Sequence, residues 1–249
     1  MNTTIDLLQR HRSIRKYKPD PVPDEAFDAI IRSAQSASTS GNMQAYSVIA
    51  VKDQEMKKQL AHLAGEQPYI AECPVFLVWC ADLNRLKYAC EPEGGAVIPA
   101  TAELFIIATV DAALAAQNAA IAAESLGLGI VYIGGIRNNP QPISDLLELP
   151  DLVYPVFGMC MGYPDEAPDV KPRLPVRAVL HRNRYSSGAF ADGIAEYNET
   201  LRHYMLTRAV TRAGSRRDTT WSKEMKARLE RNARLHMKGF LNNRGFLLE

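Results

Sequence analysis

Two arginines, a histidine and a serine fall within five residues, His11-Arg12-Ser13-Ile14-Arg15. Guanidinium and hydroxyl donors so closely spaced suit a phosphate or another compact anion. A basic segment after a helix also serves simply to offset the helix dipole. Ser38-Thr39-Ser40, followed by Gly41 and Asn42, offers three hydroxyls in one loop; these suit a phosphate or a heterocycle, and equally a plain polar linker. Tyr132-Ile133-Gly134-Gly135 ends an apolar stretch, where glycines let a flat ligand approach backbone N–H groups or merely make a turn. Lys171-Pro172-Arg173 is stiffened by its proline, so both cations face one side, toward one anion or toward solvent. Arg208, Arg212 and Arg216 are spaced by four residues, with Arg217 adjoining. On a helix those three share a face and concentrate positive charge.

Other chemistries find no support. Gly127-Leu128-Gly129 begins a dinucleotide fingerprint, but Tyr132 stands where the third glycine belongs, and the segment leads from a helix into a strand. There is no GxSxG elbow. His11, His62, His181, His203 and His236 are scattered without HxH or HExxH pairing, so no metal is expected. Cys73, Cys80, Cys90 and Cys160 form no CxxC pair and are expected as free thiols.

These groups need a scaffold. Thr3-Thr4-Ile5-Asp6 reads as a helix start capped by Thr3, and Pro23-Asp24-Glu25 as another. Tyr46–Val51 reads as a strand, 54–64 as an amphipathic helix, and 74–81, nearly all apolar, as a strand covered on both faces. A loop spans 92–99. Residues 103–126 hold neither proline nor glycine and keep Asp111, Gln117, Asn118, Glu124 and Ser125 on one stripe of an apolar helix. Such a helix must be buried on several sides, in a core or across a dimer interface. Strands at 130–133 and Val153–Gly162, a brief helix at 143–149 and a basic helical region from about 191 complete the pattern. Helices interleaved with covered strands argue for an α/β sandwich in one domain, 1–249, of which 191–249 is a mainly helical basic excursion.

At 249 residues, 47% hydrophobic and 23% charged, the chain folds around a sizeable core, which excludes disordered and collagen-like classes. No apolar run approaches the roughly 18–20 residues of a membrane span; the one at 104–110 stops at Asp111. The first residues lack a basic stretch followed by an apolar one, so a cytoplasmic protein with no membrane contact is expected. Net charge is +1, yet residues 1–176 balance at −7 and residues 177–249 at +8. The basic third suits an anionic partner or a solvated helical surface. No nucleic-acid-binding module accompanies it, so no nucleic acid is expected.

HRSIR, SASTSGNMQAYS, Gln67 with Tyr69, AAQNAAIAAESLGLGIVYIGGIRN, FGMCMGYP, KPRLP and the terminal RRDTTW stretch occur here in one order. Together they resemble the nitroreductase superfamily, and within it the NADPH-dependent, oxygen-insensitive nitroreductase and FMN reductase group. The resemblance implies an α+β fold, a mostly antiparallel sheet flanked by helices, in intertwined homodimers with noncovalent FMN. It implies that His11, Arg12, Ser13 and Arg15 hold the FMN phosphate and ribityl chain. Ser38, Thr39 and Ser40 line the site from the partner subunit, and Gln67 and Tyr69 contact the flavin. Tyr132, Ile133, Gly134 and Gly135 lie along the ring, and Lys171 and Arg173 complete the anion site. Arg208, with Arg216 or Arg217, takes the 2′-phosphate of NADPH, while Arg234 and Asn42 form a lip for the acceptor. The implied activity is ping-pong transfer of hydride from NADPH to FMN, then of two electrons to nitroaromatics, quinones, azo compounds or free flavin. No side chain need act as a catalytic acid or nucleophile. A flavin-storage or flavin-sensing protein would keep the same residues without turnover, and a nucleic-acid-binding protein would instead use the basic third.

Overall fold

The computed structural model describes residues 2–212, 214–231 and 234–246. Among them, Tyr46–Val51 (β1), Val75–Asp82 (β2), Gly129–Ile133 (β3) and Val153–Gly162 (β4) form one antiparallel sheet in the order β1-β2-β4-β3. The helices are Thr3–Gln9 (α1), Asp24–Gln35 (α2), Gln54–Leu63 (α3), Pro68–Glu72 (α4), Asn84–Cys90 (α5), Ala102–Ser125 (α6), Pro140–Leu146 (α7), Phe190–Thr207 (α8), Trp221–Leu229 (α9) and Met237–Asn243 (α10). The chain divides into two compact units, residues 1–166 with those from 234 onward, and residues 167–233.

In the first unit β2 is buried at every position because both its faces are used. Val75, Leu77, Trp79 and Ala81 pack in one core with α2 and α6, and Phe76, Val78 and Cys80 in a second with Leu60, Ile70 and Ile143. Alternation of side chains across a strand makes this split unavoidable, and two helical layers are its consequence. The register of β2 on β4 shifts where Trp79 faces Phe157 and Cys80 faces Pro155, leaving Val156 as the extra residue of a bulge. Pro155, which has no N–H to donate, is tolerated there for that reason.

Thr101 caps α6 by accepting from the Leu104 N–H, and Gly127 ends it at φ +80°, where Leu128 N–H closes back on the Ala123 carbonyl. Alanines 108, 112, 115, 116, 119, 120 and 123 are buried, and their small size lets the sheet and α2 approach. By length and composition alone α6 is long and apolar enough to cross a membrane. The uninterrupted apolar run within it is shorter because Asp111 breaks it. Two polar groups of α6 are spent inside the protein: Asp111 accepts from the Ser40 and Ala45 N–H groups at 3.1 and 3.0 Å, and Asn118 donates to the Ser33 carbonyl.

Asp111→Asn is expected to lower stability by about 1–2 kcal/mol, because the amide turns an NH₂ toward one of those two buried donors. Urea denaturation with a midpoint equal to the parent's would show that the carboxylate carries no such load.

Several boundaries differ from the sequence reading. Asn2, not Thr3, caps α1 by accepting from Ile5 N–H. The helix expected at 143–149 spans Pro140–Leu146, since Pro140 is a favourable first residue. Helices α4 and α5 were not anticipated; each has only one or two turns, too few for a periodic apolar pattern. In the second unit Tyr197, Leu201 and Met205 of α8 pack with Leu174, Tyr204 and Trp221. The expected helical region 191–249 is broken after Thr207, and its positions 213, 232–233 and 247–249 lie outside the described residues.

Candidate functional site

After α1 the HRSIR segment runs extended beside β3. Ser13 bridges Ile130 in parallel sense, and Ile14 N–H donates to the Ile130 carbonyl at 2.9 Å. Gly129 permits this approach, since a Cβ there would lie 2.5 Å from Ile14 Cγ1. The pairing sets the donors of HRSIR along the strand whose exit is Ile133-Gly134-Gly135. His11 Nδ1 meets Glu124 Oε1 at 2.6 Å, and the Arg15 N–H donates to Glu166 Oε1 at 2.5 Å. Arg12 lines a cavity of about 250 Å³ with Arg10, Ile14 and Glu124.

Residues Gly134–Arg137 form a single 3₁₀ turn. A Cβ on Gly135 would fall 2.1 Å from Gln67 Nε2 and 2.3 Å from the Ala64 carbonyl oxygen, so only glycine fits beneath Gln67. Gln67 Nε2 donates to that carbonyl at 2.7 Å, and the Tyr69 hydroxyl donates to Gln67 Oε1 at 2.5 Å. Asn138 Nδ2 donates to the same Ala64 oxygen, and Arg234 Nε donates to Asn138 Oδ1 at 3.0 Å. Arg234 thus reaches the glycine turn. Arg137 donates to the Val156 carbonyl at the β4 bulge, tying the turn to the sheet, and its own carbonyl accepts from His236 Nε2. Burial first, and the neighbouring Arg234 second, lower the Arg137 pKa. Tyr132 donates to Gln117 Oε1 and packs edge-on to Phe157; burial, then the charge of Glu124, raise its phenol well above the ordinary value. Gly134, Tyr132, Gln117, Phe157 and Arg137 border an open space of about 330 Å³.

The hydroxyl loop is held by α6 and α5. Thr39 Oγ1 accepts from the Gln44 N–H, Asp111 holds Ser40 and Ala45, and Arg85 donates to the carbonyls of Gln44 and Tyr46. Gly41, Asn42 and Gln44 are left-handed, at φ +53°, +60° and +52°. Two of these are not glycine, a conformation maintained only where surroundings impose it. Ser38, in the same loop, adjoins the C-terminal end of α2.

In the second unit the exposed Lys171 has its pKa lowered, first by partial desolvation; Glu224 opposes the shift, while Arg173, Arg208 and Arg217 add to it. Arg173 donates to the Lys171 carbonyl at 2.6 Å. Among the described residues, Arg208, Arg212 and Arg216 do not share the expected helix, since α8 ends at Thr207. Arg208 caps α8 with ψ 153°, and the chain turns through a Thr211–Gly214 bridge. The β-branched pair Val210-Thr211 and Gly214 at φ +120° favour that turn over another helical one. The turn still gathers charge. Arg208 donates to the Ser215 carbonyl, Arg216 Nε donates to the Arg208 carbonyl, and Arg217 pairs with Glu224 at 2.7 Å. The Arg208 Nε is buried with no hydrogen-bond partner.

Glu124, Asp111, Arg137, Asn138 and Arg85 escaped the sequence reading as site residues. The polar stripe of α6 had marked the first two, and Arg137 and Asn138 adjoin the paired glycines, while Arg85 gave no signal. Cationic and hydroxyl donors on HRSIR, along the strand that leads into a turn where a Cβ has no room, fit a phosphate-bearing cofactor with a flat ring.

Residues 8–163 match the nitroreductase family and residues 171–249 the C-terminal domain of that family. The chain is 40% identical to the FMN reductase (NADPH) of Bacillus subtilis over 99% of both chains. It is 42% identical to the oxygen-insensitive NADPH nitroreductase of Salmonella typhimurium, also over 99% of both. The structure of the NADPH:FMN oxidoreductase of Vibrio harveyi complexed with NAD⁺ superposes with a TM-score of 0.87 at 39% identity, covering 98% of each chain. An α+β fold with an antiparallel sheet, the HRSIR strand beside β3, and family matches covering both units establish that this chain belongs to the nitroreductase family.

Proposed function

We propose that this chain is an FMN-dependent NADPH oxidoreductase that delivers two electrons to small-molecule acceptors such as nitroaromatics, quinones, azo compounds or free flavin. The observation that carries the reading is the pairing of HRSIR with β3, which lays His11, Arg12, Ser13 and Arg15 along the strand that leads into the Gly134–Gly135 turn. Bound FMN supplies the acceptance and release of hydride. The chain's own part is positional: Arg12, Ser13 and Arg15 hold the phosphate end, while Gln67, Tyr69, Tyr132, Ile133 and the glycine turn border the ring. Ser38, Thr39 and Ser40 line the site from the partner subunit, with Asn42 and Arg234 at its lip. Lys171 and Arg173 serve phosphate, and Arg208, braced by Arg216 and Arg217, takes the 2′-phosphate of NADPH. The 1–249 chain acts as one nitroreductase-like domain with 191–249 as its basic excursion. The expected compartment is the cytoplasm, where reduced nicotinamide is held.

The purified protein is expected to be yellow, with about one noncovalent FMN per chain released on denaturation. A colourless protein that FMN cannot reconstitute would overturn the reading. Steady NADPH oxidation with a quinone separates an enzyme from a flavin store.

A homodimer is part of the proposal. Ile106, Val110 and Leu114 recur every four residues on α6 and are 53%, 47% and 43% exposed in the single chain. An apolar stripe of this kind on a central helix calls for a cover, and a second copy supplies one. Light scattering of the FMN-loaded protein should report twice the chain mass, and a stable monomer would refute this.

A further inference from the structure

Glu124 stands in the last turn of α6, where the helix carries partial negative charge and has no basic residue to offset it. A carboxylate is poorly placed there. Its side chain is nevertheless only 14% exposed, and its partner is His11 Nδ1 at 2.6 Å. An ionised carboxylate can only accept, so Nδ1 carries the hydrogen. In water a neutral histidine side chain prefers its hydrogen on Nε2; this contact reverses the preference. Nε2 then lies on the other edge of a ring that keeps 31% of its side-chain surface exposed. Beside the pair is the cavity of about 250 Å³ lined by Arg10, Arg12, Ile14, Gly127 and Gly129. A bare Nε2 lone pair repels an anionic oxygen and accepts from a hydroxyl, whereas guanidiniums do the opposite.

We propose that Glu124 is a positioning residue that fixes His11 in its Nδ1–H tautomer, so that Nε2 accepts from a ribityl hydroxyl and the phosphate is left to the arginines. The inference rests on the reading that His11 touches the cofactor, and it divides the donors of HRSIR by ligand chemistry: hydroxyl for the histidine, anion for Arg12 and Arg15. Glu124 thereby links the central helix to recognition of the polyol chain. Charge–ligand geometry of this kind parallels the carboxylates that orient metal-binding histidines through the far ring nitrogen.

The test uses apo-protein with ¹⁵N-labelled histidine, at a pH where the ring is neutral. Long-range ¹H–¹⁵N spectra should show His11 with its hydrogen on Nδ1; a wild-type Nε2–H tautomer overturns the proposal without any variant. Glu124→Met should move the hydrogen to Nε2 and raise the FMN dissociation constant roughly tenfold, with the thermal midpoint of the apo-protein unchanged. Glu124→Gln, whose amide oxygen still accepts from Nδ1–H, should restore most of the affinity. If His11→Phe leaves FMN affinity intact, the placement of His11 on the cofactor is wrong. If His11→Phe weakens binding and Glu124→Met does not, the placement stands and the role given to Glu124 falls.

Discussion

Arg208→Ala is expected to raise the KM for NADPH by about 10- to 100-fold while leaving KM for NADH and FMN content nearly unchanged. A charged hydrogen bond is worth roughly 1.5–3 kcal/mol, which converts to that range. NADPH differs from NADH by the 2′-phosphate alone, so a residue that meets this group affects one donor only. Arg208 is favoured over its neighbours by what each side chain already does. Arg216 bonds back to the Arg208 carbonyl and Arg217 is paired with Glu224, whereas Arg208 is engaged through one terminal nitrogen with the Ser215 carbonyl. Lys171, whose pKa the charge of Arg208 helps to lower, adds to the attraction for a phosphate. The Ser215 contact also braces the turn, and a loosened turn would weaken both donors alike. Equal losses with NADPH and NADH would therefore remove Arg208 from the 2′-phosphate and make it a structural brace.

Gly135→Val is expected to be the most damaging single change in the first unit. Even a methyl at this position would sit 2.3 Å from the Ala64 carbonyl oxygen, and backbone cannot step aside as a flexible side chain does. Forcing atoms into a packed site costs about 1–3 kcal/mol, and the two γ-methyl groups of valine add to it. Either Gln67 leaves the Ala64 oxygen or the turn lifts away from it, and both move the backbone donors proposed to meet the flavin. An FMN dissociation constant at least about 10- to 100-fold higher follows from losing one or two such hydrogen bonds. Titration of the apo-protein with FMN, together with urea denaturation, measures both effects. A variant with parental stability and parental affinity would mean that the glycine turn is not part of the cofactor site. Gly134→Ala is the milder control: its added carbon would meet only the Arg137 guanidinium, at 3.4 Å.

Much of the scaffold was legible because local patterns decide it. Strands β1 and β4 lie where the apolar runs placed them, α2 starts where Pro23-Asp24-Glu25 indicated, and the boundaries of α6 agree within about one residue, since Pro23 and Gly127 are start and stop signals that act over a few bonds. The short helices α4 and α5 left no such trace. The failed helix at Arg208, Arg212 and Arg216 shows the limit from the other direction. Spacing alone favoured a shared face, yet Val210, Thr211 and Gly214 made a turn that groups Arg208, Arg216 and Arg217 by a different route.

By itself the sequence determined the covered strands, the apolar central helix and the chemical character of the donor segments, because composition and periodicity act on residues close in the chain. Tertiary structure alone decided which of those segments meet. His11 and Glu124 are 113 residues apart, Gln67 lies over Gly135, and Arg234 reaches Asn138 across 96 residues. Such pairings depend on strand order, on the bulge at Val156 and on the depth to which the alanine face of α6 admits the sheet. None of these is a property of any short stretch of chain, because each is set by the simultaneous packing of two layers on one sheet.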